Sequence, residues 1–178
     1  MSGNKTVLSL AEQLGKFQNL PGKLPPVESW SPELSGDMDM LIKKDGSWVH
    51  EGDEIKRDKL VRMFSTILRK EGADHYLLTP VEKWRIKVED MPFIIVLAEI
   101  KSVDGIQIIS LINNLGDQVE LGENSFVLDG ETAPYIEVRH GLNARLSRNV
   151  YYQLADNAEV NSAGLYCVKS NGLNHAIG

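Results

Sequence analysis

Trp48, His50 and Glu51 stand almost side by side in DGSWVHEGDEI, residues 45–55. An imidazole can donate or accept a proton near pH 7, and a neighbouring carboxylate can orient it. Just upstream, GDMDM places Asp37 and Asp39 two residues apart, on one side of an extended chain. Paired carboxylates can hold a divalent cation or share acid–base work; after Gly36 they can equally cap a turn and face water. Asp37, Asp39, His50 and Glu51 therefore make one candidate constellation, that of a metal-assisted hydrolase or transferase. It has no nucleophile with an orienting partner behind it. The plain alternative for His50 is a polar hairpin residue beside Trp48.

A second set is cationic. Arg139, Arg145 and Arg148 are the concentrated basic group of the chain. Guanidinium binds carboxylate or phosphate through two parallel hydrogen bonds, which makes this set an anion-site candidate. Tyr135 and Tyr151 can add hydroxyls or stacking surface. The alternative is that the arginines pair with the surplus of acids. In TPVEKW, Glu82 and Lys83 follow Thr79-Pro80; an exposed ion pair there adds little stability, so a ligand-facing role is considered for both. No phosphate-cradling glycine loop, nucleophile elbow or zinc-ligand cluster occurs, and His50, His75, His140 and His175 are scattered. No cofactor or metal is expected.

The elements that must carry these residues are those of an ordinary globular chain. At 178 residues it fits one large domain or two small ones. The net charge of −6 argues against non-specific nucleic-acid binding, which needs a basic surface. No apolar run approaches the ~18 residues of a membrane span. The start, MSGNKTVLSLAEQLGKF, lacks a signal peptide's apolar block, and a single cysteine, Cys167, suits a reducing compartment. A complete, soluble, cytoplasmic protein is expected.

Ser9 and Glu12 read as a capping box opening a helix over 9–19, with Leu10, Leu14 and Phe17 on one face and NLPGKLPP as its end. PPVESW is expected to lie extended, pinned by Val27 and Trp30. Residues 40–49 read as a hairpin with a two-residue type I′ turn at Asp45-Gly46. That register places Ile42 opposite Val49, and puts Leu41, Lys43, Trp48 and His50 on the other face. A helix is expected over 56–71, stopped by Gly72. Alternation then marks strands in YLLT, WRIKVE, FIIVLAEI, IQIISLIN, DQVEL, FVLD and YIEVR. Leu142, Leu146, Val150 and Leu154 suggest a second helix over 142–157, carrying Arg145 and Arg148, with short strands after it. Seven strands closed by a helix make a barrel-like plan. The stretch from Leu41 echoes that from Leu111, with Ile42 matching Ile112, Gly46 matching Gly116, Val49 matching Val119 and Gly52 matching Gly122.

PPVESW, GDMDM, DGSWVHEG, LVRMFSTIL, TPVEKWRIKVEDMPF, NNLGDQV and PYIEVRHGLNARLSR, taken in this order, resemble the bacterial domain-of-unknown-function family 1285 from about Pro25 to Tyr152. The resemblance implies an α+β fold of duplicated hairpin-plus-helix units, with a C-terminal part similar to a pleckstrin-homology barrel closed by a helix. It also implies a ligand-binding or signalling role, with a groove between two parts as the suspected site. Glu89 and Asp90 make the first barrel turn acidic, where a phosphoinositide binder needs basic residues. The expected organisation is a helix and linker over 1–24, a hairpin-helix part over 25–75 and a barrel-like part over 76–178. The expected function is non-catalytic binding of a small anionic ligand or a protein partner. Arg139, Arg145 and Arg148 would supply charge, Trp48 and Tyr135 shape, and His50, Glu82 and Lys83 orientation. The oligomeric state is left open.

Overall fold

A computed structural model describes residues 2–16, 24–131 and 133–178 of the chain. By its internal contacts the chain divides into two compact units, Met1–Asp90 and Met91–Gly178. The architecture is mixed α+β, with three α-helices and several sheets among the described residues. No helix among those residues is long and apolar enough to cross a membrane.

The first unit opens with α1, Ser2–Gly15. Ser9 lies inside this helix and accepts a hydrogen bond from Gln13 Nε2, 3.3 Å away, so the helix starts well before the expected capping box. Leu10 and Leu14 are buried as their spacing requires. Phe17 and NLPGK lie outside the described residues. Val27 and Trp30 are buried too, but the backbone between them is a 3-10 turn, Val27–Ser29, rather than extended chain.

A six-stranded sheet follows. Its strands are β1 (Gly36–Ile42), β2 (Trp48–His50), β3 (Asp53–Glu54), β4 (Leu68–Glu71), β5 (Asp74–Leu78) and β6 (Lys83–Val88), in the order β3-β2-β1-β6-β5-β4. Only the β1–β6 pairing is parallel. Along β1 burial alternates, with Met38, Met40 and Ile42 inside and Asp37 and Asp39 exposed. Gly36 sits at φ 147°, and a Cβ there would stand 3.3 Å from the Trp84 ring, so glycine lets that indole lie across β1. The strand Asp74–Leu78 is bonded within this sheet, whereas the reading of 25–75 and 76–178 as separate parts divides the chain inside it.

The β1–β2 hairpin differs from the sequence reading by one residue. Lys43 N donates to Ser47 O and Gly46 N to Lys43 O, which makes a three-residue turn of Lys44, Asp45 and Gly46. Gly46 takes a positive φ of 87°, and the Asp45 carboxylate accepts from both the amide and the hydroxyl of Ser47. The partners are Met40↔His50, Leu41↔Val49 and Ile42↔Trp48. A one-residue shift moves every side chain to the other face. Trp48 and His50 thus lie with Met40 and Ile42 on the core face, not with Leu41 and Lys43. Trp48 stacks on Phe64, with ring centroids 6.5 Å apart and planes 20° from parallel.

Phe64 belongs to α2, Asp58–Ser65, which is shorter than the helix expected over 56–71. The Ser65 and Thr66 hydroxyls donate to the carbonyls of Arg62 and Met63, 2.6 Å away in each case, and close the helix. Leu68 pairs with Leu77, so the next residues are claimed by β5. Gly72 belongs to the β4–β5 turn.

The second unit contains a five-stranded sheet of β7 (Phe93–Val103), β8 (Ile106–Asn113), β9 (Gln118–Glu120), β10 (Tyr135–Arg139) and β11 (Leu142–Leu146), in the order β10-β11-β7-β8-β9. Six of the expected strand stretches fall in strands, those of YLLT and WRIKVE in the first unit's sheet; FVLD contributes one bridge, Val127↔Tyr135. The helix expected over 142–157 is in fact β11 followed by α3, Arg148–Asp156. A tight turn at His140-Gly141, both at positive φ, returns β10 into β11 with Arg139 opposite Leu142. Leu142, Ala144 and Leu146 are buried by alternation, and Val150 and Leu154 by helical spacing. Ser147 caps α3 by accepting from Val150 N. The helix packs on β7, where Gln153 Nε2 donates to Ala98 O. A three-stranded sheet, β12 (Glu159–Val160), β13 (Tyr166–Ser170) and β14 (Leu173–Ala176), ends the chain.

The β8–β9 hairpin repeats the turn of the first: Asn113 N donates to Asp117 O, Gly116 N donates to Asn113 O, and Leu111 faces Val119. The buried faces are opposite, however. Leu111 and Val119 are inside, whereas in the first hairpin Ile42 and Trp48 are.

Phe64→Ala removes the ring against which Trp48 stacks and is expected to cost about 3–5 kcal/mol. Urea unfolding of the variant against the parent protein measures this; a loss near zero would mean that the Trp48 face is not the core.

Candidate functional site

On the core face of the first sheet, three nitrogens have no hydrogen-bond partner among the described residues: Trp48 Nε1, His50 Nε2 and Trp84 Nε1. Strand pairing puts them on one face, with Trp48 beside Ile42, His50 beside Met40 and Trp84 beside Gly36. Each unsatisfied buried donor costs about 1–3 kcal/mol, so an acceptor there would be strongly favoured. Indole N–H only donates, which restricts a partner at Trp48 or Trp84 to an acceptor.

The metal-assisted constellation is not assembled. Asp37 and Asp39 project from the exposed face of β1, opposite to His50, and Asp37 accepts from Arg85 Nε at 2.7 Å. Glu51 lies exposed in the turn after β2, at φ 50°. Among the described residues no group of three or more His, Cys, Asp and Glu side chains could hold a metal ion. Strand alternation separates residues that sequence proximity had seemed to unite.

Glu82 and Lys83 are tied into the first unit. Glu82 Oε2 accepts from Gln13 Nε2 at 2.8 Å, while the backbone N–H groups of Val81 and Glu82 donate to the Thr79 hydroxyl. Lys83 Nζ donates to Glu71 Oε2 at 2.5 Å and lies 4.4 Å from the centre of the Tyr76 ring. Arg69 pairs with the same Glu71 and donates to the carbonyls of Val27 and Trp30. Hydrogen bonds from Lys83 and Arg69 hold the Glu71 carboxyl below its ordinary range. The Lys83 pair is half-buried rather than exposed as expected.

Two of the three arginines are neutralised inside the second unit. Arg139 Nη1 donates to Asp117 Oδ2 at 2.5 Å, and its guanidinium sits 5.0 Å from the Phe93 ring centre. Arg145 lies on β11, not on a helix. It donates to Asp129 Oδ2 at 2.8 Å and to Ala133 O at 2.7 Å, 5.8 Å from the Tyr135 ring. Its hydrogen bonds hold the Asp129 carboxyl below the usual range. Arg148 is exposed at the start of α3. Arg145 and Arg148 therefore do not share a helix face. Tyr135 lines a shallow cleft of ≈ 330 Å³ with Glu123, Asn124, Ser125, Glu137 and Asn143.

The larger opening in the second unit was not anticipated. A cavity of ≈ 470 Å³ is lined by Gln107, Asn157, Glu159, Asn161, Lys169 and Asn174, with Ser162, Val160 and Cys167. The three-stranded sheet builds it. Glu159 stands opposite Cys167, and Lys169 opposite Asn174, with Cys167 and Lys169 on one face by alternation. Gln107 reaches in from β8, and its Nε2 donates to Lys169 O. Asn161 shapes the loop before β13: its Oδ1 accepts from the amides of Ala163 and Leu165, and its Nδ2 donates to Cys167 Sγ at 3.3 Å. In the sequence, Asn157 ends the expected helix and GLY opens an expected strand, and no motif marks the residues between.

Two family models match the chain. "Domain of unknown function (DUF1285), N-terminal domain" covers residues 25–91, and "Protein of unknown function (DUF1285), C-terminal domain" covers 92–177. Among solved structures, a DUF1285 family protein from Silicibacter pomeroyi DSS-3 is 36% identical, with 93% of each chain covered and a TM-score of 0.80. A DUF1285 family protein from Shewanella baltica OS155 is 24% identical over 67% of this chain and 91% of that one, at a TM-score of 0.55, a likeness of fold alone. No curated protein matches.

Burial pushes the imidazoles of His75 and His175 below the ordinary value of 6.5. The unfolded chain then binds protons first, so stability is expected to fall as pH drops below about 6.5. It should fall again through the carboxylate range, where Glu71 and Asp129 are depressed. Urea midpoints between pH 8 and 3 measure this, and His175→Gln should flatten the first step. An unchanged slope in that variant would show that His175 is not held neutral.

Proposed function

We propose, for a chain that belongs to the DUF1285 family, a non-catalytic role: binding a small polar molecule in the cavity beside the three-stranded sheet. One observation carries this reading, the ≈ 470 Å³ opening bordered by amide, carboxylate and ammonium groups. Small-molecule sites typically measure about 300–1,000 Å³ and use a few placed polar groups for orientation. Covalent catalysis would need a nucleophile with a base oriented behind it. Among the described lining residues Cys167, Ser162 and Lys169 carry groups that could attack, the Cys167 sulfur meets the Asn161 amide, and no imidazole lines the cavity.

A second reading rests on Trp48, His50 and Trp84. Their unpartnered nitrogens suit an acceptor, and a small anion bound there would keep the anionic-ligand expectation while moving it away from Arg139 and Arg145. The pleckstrin-homology-like reading of the second unit also stands as a proposal, supported by a mostly antiparallel five-stranded sheet followed by α3.

A thermal-shift screen tests the leading reading, using amino acids, amines, organic acids, polyols and inorganic anions. A ligand at ~100 times its dissociation constant stabilises by about 2.7 kcal/mol. Ser162→Trp, which fills the cavity mouth from an exposed position, is expected to abolish the shift. A shift that survives in this variant and disappears in Trp48→Phe would favour the second reading. Silence across the panel would overturn both.

A further inference from the structure

Resting on that binding role, we infer that the cavity's ligand is a small zwitterion bearing an ammonium and a carboxylate, as a free α-amino acid does. The argument starts from which atoms the cavity's amides have left to offer. Gln107 faces the carbonyl oxygen of Lys169 at 2.7 Å, and a carbonyl oxygen only accepts, so the atom turned to it is the NH₂ group. Its Oε1 is left as an acceptor. Asn157 is oriented in the same way: its Nδ2 donates to Gln153 O at 2.9 Å, which leaves Oδ1. Asn161 is spent in both directions, on Ala163 and Leu165 through Oδ1 and on Cys167 through Nδ2. With the Glu159 carboxylate, the lining offers three acceptors, from Gln107, Asn157 and Glu159, beside the remaining amide N–H groups and the Asn174 amide. A ligand group that meets them must donate. An ammonium carries three N–H donors and one positive charge, and so answers two neutral oxygens and one carboxylate.

The other end of the cavity's chemistry is cationic. Lys169 lines it beside its strand partner Asn174, and neither the Lys169 ammonium nor the Glu159 carboxylate makes an ion pair among the described residues. Glu159 is opposite Cys167, and Lys169 is two residues further along β13, so the two are diagonal neighbours on one face. Such positions lie about 7–8 Å apart. A ligand lying between them, with a hydrogen bond of about 2.8–3.0 Å at each end, can present its ammonium to Glu159 and its carboxylate to Lys169. A ligand of a single charge would meet only one of these two groups.

Isothermal titration of the full chain with free L-amino acids tests the inference, together with ethylamine and propionate, which keep only one of alanine's two charged groups. Binding of an amino acid, with the amine and the acid each at least 10-fold weaker, is the expected result. Glu159→Gln and Lys169→Met, both at exposed positions, should each weaken that binding about 10-fold or more while leaving the urea midpoint near the parent value. Binding of an amine, an acid or a polyol as tight as that of any zwitterion overturns the inference and leaves the binding role standing. So does amino-acid binding that both variants keep. No binding by any of these probes, with no thermal shift from the wider panel, overturns the binding role as well.

Discussion

The closure of the first hairpin over three residues decides which way β2 faces, and most of the first unit's interior follows from it. Asp45 fixes that closure by accepting from the amide and hydroxyl of Ser47, and Gly46 supplies the positive φ. The resulting register turns Trp48 inward to stack on Phe64, which anchors α2 to the sheet. It also turns His50 inward, away from Asp37 and Asp39. A two-residue turn would have put Trp48 and His50 on the face of Asp37 and Asp39, which the alternation of β1 itself leaves outside. The hairpin thus dissolves an acid–base constellation and, in the same step, buries ring nitrogens that the core does not satisfy.

Charge is distributed by a similar economy of partners. With 25 acids against 19 Lys and Arg, several basic groups find carboxylates within reach. Arg139, Arg145, Arg69, Arg85 and Lys83 all do so, several of them also lying against aromatic rings or backbone carbonyls. A guanidinium already bound by a carboxylate has little left for an incoming anion. Glu159 and Lys169 stand diagonally across one face of the three-stranded sheet, neither in an ion pair among the described residues. Chemistry is then concentrated where intramolecular pairing stops.

Two kinds of polar remainder result. The first unit retains the indole donors of Trp48 and Trp84 and the His50 ring nitrogen. The second retains a cavity with unmet acceptors, because Gln107 and Asn157 each give one amide N–H to a backbone carbonyl and keep their side-chain oxygens. Elsewhere buried polar groups are matched within the fold. Ser170 accepts from Ile109 N and donates to Leu121 O, and His175 meets Ser125 and Ser170. The contrast gives the remainders their functional interest.

Family membership, most of the strands, and the positions of the matching turns at Gly46 and Gly116 were legible in the amino-acid sequence, because alternation and turn chemistry are local properties. Helix ends were not. Leu142 and Leu146 share a helix-like spacing with Val150 and Leu154, yet the first two alternate on β11 because Phe93 and Ile95 claim that backbone. Leu68 is likewise drawn from the end of a helix into a strand by Leu77. Of the candidate site, Trp48 and His50 were visible as residue types, but the face they occupy depended on a turn one residue longer than expected. The cavity left no motif, since Gln107, Asn157, Glu159, Lys169 and Asn174 come from separate strands and loops. By itself the sequence determined which segments alternate and where the chain reverses; tertiary structure alone decided which polar atoms are left unpaired, because that depends on partners far away along the chain.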